Sequence, residues 1–91
     1  MKISEITRQV VTEHSAVRIR YRKQAHVPGQ PIEYDVKDMF GGNNRGWVLL
    51  DATTANAMNT IYNALEKEET RSKWDTIPVQ KLVDFTWKNI R

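Results

Sequence analysis

Arg18, Arg20 and Arg22 recur at every second position in AVRIRYRK, and Lys23 follows directly. Residues i, i+2 and i+4 of an extended strand share a face, so the three guanidinium groups would stand in one row. A guanidinium is a planar fork of N–H donors that matches a phosphate bidentately, which makes the row a candidate nucleic-acid face. Arg45, in the stretch FGGNNRG, could add a contact from a loop tip. The same residues have a second reading. In IEYDVKDM, residues 32–39, Glu33 and Asp35 alternate with Ile32, Tyr34 and Val36. An antiparallel register that sets Arg22 by Glu33 and Arg20 by Asp35 turns the face into a cross-strand charge ladder, in which each exposed pair contributes about 0.2–1 kcal/mol. Aromatic side chains among the arginines would support base stacking, but Tyr21 and Tyr34 alternate to the opposite, core side. The ladder is the favoured reading and the phosphate face the alternative.

No other constellation supplies reactive chemistry. The glycines of GGNNRG lack the GxxxxGK[ST] spacing of a phosphate-cradling loop and do not open a helix, so the segment reads as a hairpin turn. His14 and His26 have no partner at i+3 or i+4 of the kind that builds a metal site, and both read as turn residues. Glu13, His14 and Ser15 place a base beside a nucleophile in sequence only, since neighbouring side chains diverge. Glu33 with Asp35, and Glu66 with Glu68 and Glu69, are carboxylate groups on a strand face and a helix end, outside any expected cleft. No catalytic, metal-binding or cofactor-binding residue is assigned.

The elements that must position these groups follow from hydrophobic period. Residues 17–23 and 32–39 alternate as half-buried strands, joined through QAHVPGQP, where Pro28-Gly29 marks a turn. Trp47, Val48, Leu49 and Leu50 form a short bulky run that suits a strand covered on both faces, and three consecutive strands predict a meander. At Asp51 the period changes: Met58, Ile61, Tyr62 and Leu65 lie on one helical face, with Asp51, Thr53 and Thr54 as N-cap candidates. EKEETRSK reads as a solvated stretch that ends this helix. A second helix begins at Thr76-Ile77-Pro78, with Thr76 as its cap, and carries Val79, Leu82, Val83, Thr86, Trp87 and Ile90 on one stripe widened by Phe85. Residues 1–12 fit either a helical face through Ile3, Ile6 and Val10 or a strand, and their Thr and Val content favours the strand. The expected fold is α+β, an antiparallel sheet of three or four strands followed by two amphipathic helices on one face, all in one domain spanning 1–91. Trp47 and Trp87 are expected in its core. Trp74, in the linker between the two helices, is expected to plug the base of the pair, with a partly exposed binding anchor as the alternative.

Composition bounds the function. With 40% hydrophobic and 27% charged residues in 91, the chain matches an ordinary globular domain with one core layer. It has no Cys, which excludes disulfides and thiolate chemistry and fits an intracellular setting, so a cytoplasmic location is expected. The charges scattered through MKISEITRQVV leave no signal-peptide core, and no run approaches the roughly 20 apolar residues of a membrane span. The first fifty residues hold eight Lys/Arg against five Asp/Glu and the remaining forty-one hold six of each, so the whole excess of +3 lies in the strand half.

Residues 50–58, LDATTANAM, with Tyr62, Ala64-Leu65, Ile77-Pro78 and residues 81–88, KLVDFTWK, resemble a pattern of small uncharacterised proteins of prophages and other mobile elements in Gram-positive bacteria. The resemblance covers about residues 50–91 and implies a cytosolic accessory protein, without assigning an activity. The residues thus point to a non-enzymatic binding module with a protein partner, the alternative being a nucleic-acid-binding module built on Arg18, Arg20 and Arg22. They specify neither the partner nor an oligomeric state.

Overall fold

In the computed structural model, residues 1–22, 29–40 and 42–89 are described. Lys23, His26, Ile90 and most of the QAHVPGQP loop lie outside them. The elements run α1 (Ile3–Glu13), β1 (Val17–Tyr21), β2 (Tyr34–Asp38), β3 (Val48–Leu50), α2 (Ala52–Ala64), α3 (Glu68–Trp74) and α4 (Val79–Asn89). The chain is α+β, with a three-stranded antiparallel sheet and four helices among the described residues.

The N-terminal segment is a helix, which corrects the strand expected there. Ile3, Ile6, Thr7 and Val10 fall at i, i+3, i+4 and i+7 and are all buried, so the helical period outweighs the β propensity of Thr and Val. The helix start is fixed from two sides. The Glu5 carboxylate accepts the Lys2 N–H at 2.9 Å. Asp75, 71 residues further along, accepts the Ser4 N–H at 2.9 Å and the Ser4 hydroxyl at 2.8 Å. Asp75 is only 5% exposed, and its backbone carbonyl also receives the Ile32 N–H at 2.9 Å. It joins α1, the approach to β2 and the end of α3. At the other end of α1, His14 closes the helix in the left-handed region with φ 55°.

Pairing of β1 with β2 follows the expected register, with Arg20 opposite Asp35 and the Arg22 N–H donating to the Glu33 carbonyl. The third strand does not continue a meander. The order is β2-β1-β3, with Arg18 opposite Leu49 and Ile19 opposite Val48, so β2 and β3 flank β1 and run parallel to each other. The described part of GGNNRG, residues 42–46, is therefore part of a crossover and not a hairpin turn, while Gly41 lies outside the described residues. Leu49, on the same face as Arg18, is 46% exposed, so β3 is covered on one face only.

One apolar cluster fills the other face. It takes Val17, Ile19, Tyr34 and Leu50 from the sheet, Ile6 and Val10 from α1, Met58 from α2, Trp74 from α3 and Leu82 from α4. Tyr21 lies over Tyr34, ring centroids 5.2 Å apart, yet remains exposed at the margin of the cluster. The Asp51 carboxylate caps α2 through the Thr54 N–H at 2.7 Å, and the Thr54 side chain first, then this N–H, lower its pKa by hydrogen-bonding the charged form. EKEETRSK contains a helix of its own: α3 occupies Glu68–Trp74. Arg71 of α3 donates to the carbonyls of Leu65 and Asn63, satisfying acceptors at the end of α2. At the start of α4 the expected Thr76 cap is replaced by the Tyr34 hydroxyl, which accepts the Val79 N–H at 3.1 Å. Burial, reinforced by nearby Tyr21, pushes the Tyr34 pKa upward.

Two expected core tryptophans lie elsewhere. Trp87 is 44% exposed, because Val79, Leu82 and Thr86 take the centre of the α4 stripe and leave it on a flank. Trp47 belongs to the outer face of the sheet, as its alternation with the inward Val48 and Leu50 requires.

Loss of the Asp75 carboxylate would strand the Ser4 N–H and hydroxyl. Asp75→Ala should lower unfolding free energy by about 2–4 kcal/mol and Ser4→Ala by about 1–2 kcal/mol. In chemical denaturation the double variant should then lose clearly less than the two single losses combined, and strict additivity would refute the coupling. Leu82→Ala should cost about 2–5 kcal/mol in the same assay, while Trp87→Ala should cost under about 1 kcal/mol.

Candidate functional site

The outer face of the sheet holds the predicted arginines, and the structure shows what occupies them. Arg20 and Arg22 both reach Asp35, through Nε atoms at 3.3 and 3.2 Å. Arg22 thus leans diagonally past Glu33, which instead meets the N-terminal amine at 3.0 Å. The Asp35 pKa is lowered, first by the hydrogen bond from Arg22 and then by that from Arg20. The Glu33 pKa is lowered by its bond to the N-terminal amine. Arg18 donates through Nε to the Met39 carbonyl at 3.2 Å.

The crossover from β2 to β3 explains these contacts. Parallel neighbours usually need a connection of about a dozen residues or more, commonly a helix. Here nine residues, 39–47, separate the two strands. Side chains of the outer face hold this connection down: Arg18 takes the Met39 carbonyl and Lys37 donates to the Asn43 carbonyl at 2.7 Å. Trp47, at its end, receives the Arg20 guanidinium 4.5 Å and the Lys37 ammonium 4.6 Å from its ring centroid. Each such cation–π contact is worth about 0.5–1 kcal/mol at exposed sites. The chain turns into Trp47 through the Trp47 N–H to Asn44 carbonyl bond at 3.0 Å, with Gly46 at φ 79° in the third position, where a side chain would be strained. Asn43 supports the turn by accepting the Arg45 N–H through its side chain. Arg45 itself is exposed.

A different surface opens between α3 and α4. A groove of about 400 Å³ is lined by Leu65, Trp74, Ile77, Leu82 and Phe85, with Thr70, Lys73 and Lys81 completing it. Trp74 is 4% exposed and belongs to the lining, so it is buried, as the plug reading expects, and does not stand partly exposed as the anchor reading required. Its ring meets Tyr62 and Phe85 edge-on at 5.9 and 6.5 Å. Its indole Nε1 is buried and has no hydrogen-bond partner within the described structure, a deficit that costs about 1–3 kcal/mol. Phe85 is 49% exposed. On α4 it lies on the opposite flank of the buried stripe from Trp87, so the two exposed aromatics belong to separate surfaces.

Of the sequence-predicted residues, Arg20 and Arg22 meet on Asp35, Arg18 and Arg45 stand on or beside the crossover, Trp74 lines the helical groove, and Lys23 is outside the described residues. Leu65, Phe85, Lys73 and Lys81 were not assigned to a site. Recognising α3 in EKEETRSK would have exposed the i, i+3, i+4 set Thr70, Lys73 and Trp74 that lines one wall. Among the described residues, no group of His, Asp and Glu could hold a metal ion, and no helix is long and apolar enough to cross a membrane. In comparisons with family models, curated proteins and solved structures, nothing matches this chain.

Because Asp35 holds Arg20 and Arg22, the native chain should bind duplex DNA no tighter than the non-specific range of about 10⁻⁴–10⁻⁶ M at physiological salt. Asp35→Asn should strengthen binding and steepen its salt dependence. Lowering pH should move the native chain the same way: the depressed pKa of Asp35 keeps the ion pairs intact above the ordinary carboxylate range, and they are lost as pH falls through the folded-state value. Fluorescence anisotropy with a labelled duplex checks this, and submicromolar native binding would refute it.

Proposed function

We propose that this chain is a non-enzymatic protein-binding module that docks its partner in the groove between α3 and α4. The observation that carries the reading is Phe85, a large aromatic residue left half exposed at the edge of an apolar groove whose lining includes buried Trp74. Interface anchors are characteristically aromatic side chains set in or beside such pockets. Arginine and lysine side chains of the sheet face, by contrast, are engaged by Asp35, by the Met39 and Asn43 carbonyls and by Trp47. Nucleic-acid binding through Arg18, Arg20 and Arg22 would have to displace those contacts and is the second reading. A cytoplasmic accessory role of phage or mobile-element origin is the setting implied by the pattern in residues 50–91.

Affinity capture from the cells that naturally produce the chain, with and without nuclease, separates the readings. A specific protein partner should persist after nuclease treatment, be lost with Phe85→Ser and survive the double change Arg20→Ala, Arg22→Ala. A partner that vanishes with nuclease and with the arginine variant would replace this reading with the nucleic-acid one.

A further inference from the structure

The charges around the helical groove define the chemistry of its occupant. We infer that the groove between α3 and α4 receives an acidic amphipathic segment of a partner protein, which inserts a large apolar side chain against Trp74 and Phe85 and sets carboxylates against Lys73 and Lys81. This inference rests on the protein-binding reading and names the partner's chemistry.

Two observations converge on it. Lys73 and Lys81 are the charged residues of the lining, which contains no carboxylate. Both are exposed, and neither takes part in an ion pair within the described residues. Their ammonium groups therefore favour carboxylates of an occupant at the two points of the lining where they stand. The apolar lining demands a large hydrophobic anchor, because a purely ionic ligand would leave Phe85 in water. The pattern matches helix-in-groove recognition, in which apolar residues at i and i+4 enter the groove and flanking charges set orientation. A small anionic amphiphile shares some of this chemistry. The peptide is the occupant proposed because the two lysines belong to different helices, α3 and α4, and oppose charges spaced along a segment more readily than a single headgroup.

Selection of random 12-residue peptides displayed against the full chain tests the inference, followed by synthesis of the most enriched sequence. Enriched peptides should combine Asp or Glu with Leu, Phe or Trp. On titration, the Trp74 indole N–H resonance should shift while that of Trp47 stays in place. The charge reversal Lys73→Glu, Lys81→Glu should weaken binding at least tenfold in a variant that still unfolds cooperatively, and repeating the selection on that variant should enrich basic peptides. Enrichment of non-acidic sequences, failure to enrich any, affinity indifferent to the charge reversal, or shifts centred on Trp47 would each overturn the inference. Sodium decanoate serves as the probe for a small amphiphile, and displacement of the peptide by micromolar decanoate would overturn it in favour of that ligand. If the natural partner still depends on Phe85 but binds equally well after charge reversal, only this inference falls. If the partner is indifferent to Phe85, the protein-binding reading of the groove falls with it.

Discussion

A buried carboxylate is the constraint on which the rest of this structure depends. Asp75 is shielded from water, and a carboxylate so placed must recover its lost hydration from fixed donors. It finds them at the first turn of α1, where helical N–H groups have no partners of their own and the helix dipole favours negative charge. The requirement runs both ways: Asp75 is tolerable in the interior because residues near the N-terminus are helical, and the start of that helix is satisfied because Asp75 reaches it. The Asp75 carbonyl receives Ile32 just before β2, and Tyr34 two residues later caps α4. Three segments distant in sequence meet within a few bonds of one residue.

The sheet carries a second constraint. Placing β1 in the centre puts the most arginine-rich strand between two neighbours and forces the short connection from β2 to β3 to run between parallel strands. Residues that alternate outward, Arg18, Arg20 and Lys37, take up the backbone and the indole of that connection. Asp35 already holds Arg20 and Arg22 within the β1–β2 pair, and the third strand with its connection adds the contacts made by Arg18, Arg20 and Lys37. Net charge is unchanged by these contacts, but the number of cations ready to meet a ligand falls.

The helical groove follows from a related economy. The short helix α3 sends Arg71 back to close α2 and directs Trp74 into the core, so its remaining wall, Thr70 and Lys73, faces α4 across an apolar floor. Phe85 borders that floor because the centre of the α4 stripe is already filled by Val79, Leu82 and Thr86. A domain of this size has one core layer, and aromatic residues beyond its capacity must lie at the surface. Phe85 and Trp87 are two such residues, on opposite flanks of one helix.

Local patterns determined much of the fold by themselves. Alternation in VRIRY and in YDVKD set two strands and the face each turns inward, because a one-residue slip would turn every apolar side chain into water; a two-residue slip keeps those faces, so the pairing of Arg20 with Asp35 is decided by the assembled sheet. The change of period at Asp51 marked α2 and narrowed its cap to Asp51, Thr53 or Thr54, of which Asp51 holds the Thr54 N–H three residues on. What failed to show in the sequence depends on residues far apart. Residues 1–12 satisfied two periods at once, and the choice between them was made by packing and by Asp75. Trp47 and Trp87 are as apolar as core residues, and only the outward parity of one and the crowded stripe of the other exclude them. Strand order, the clamping of the sheet cations and the groove beside Trp74 all arise from contacts between elements. A sequence determines which face of an element is apolar; the tertiary structure decides which apolar face is left over, because that is fixed by competition for a single core.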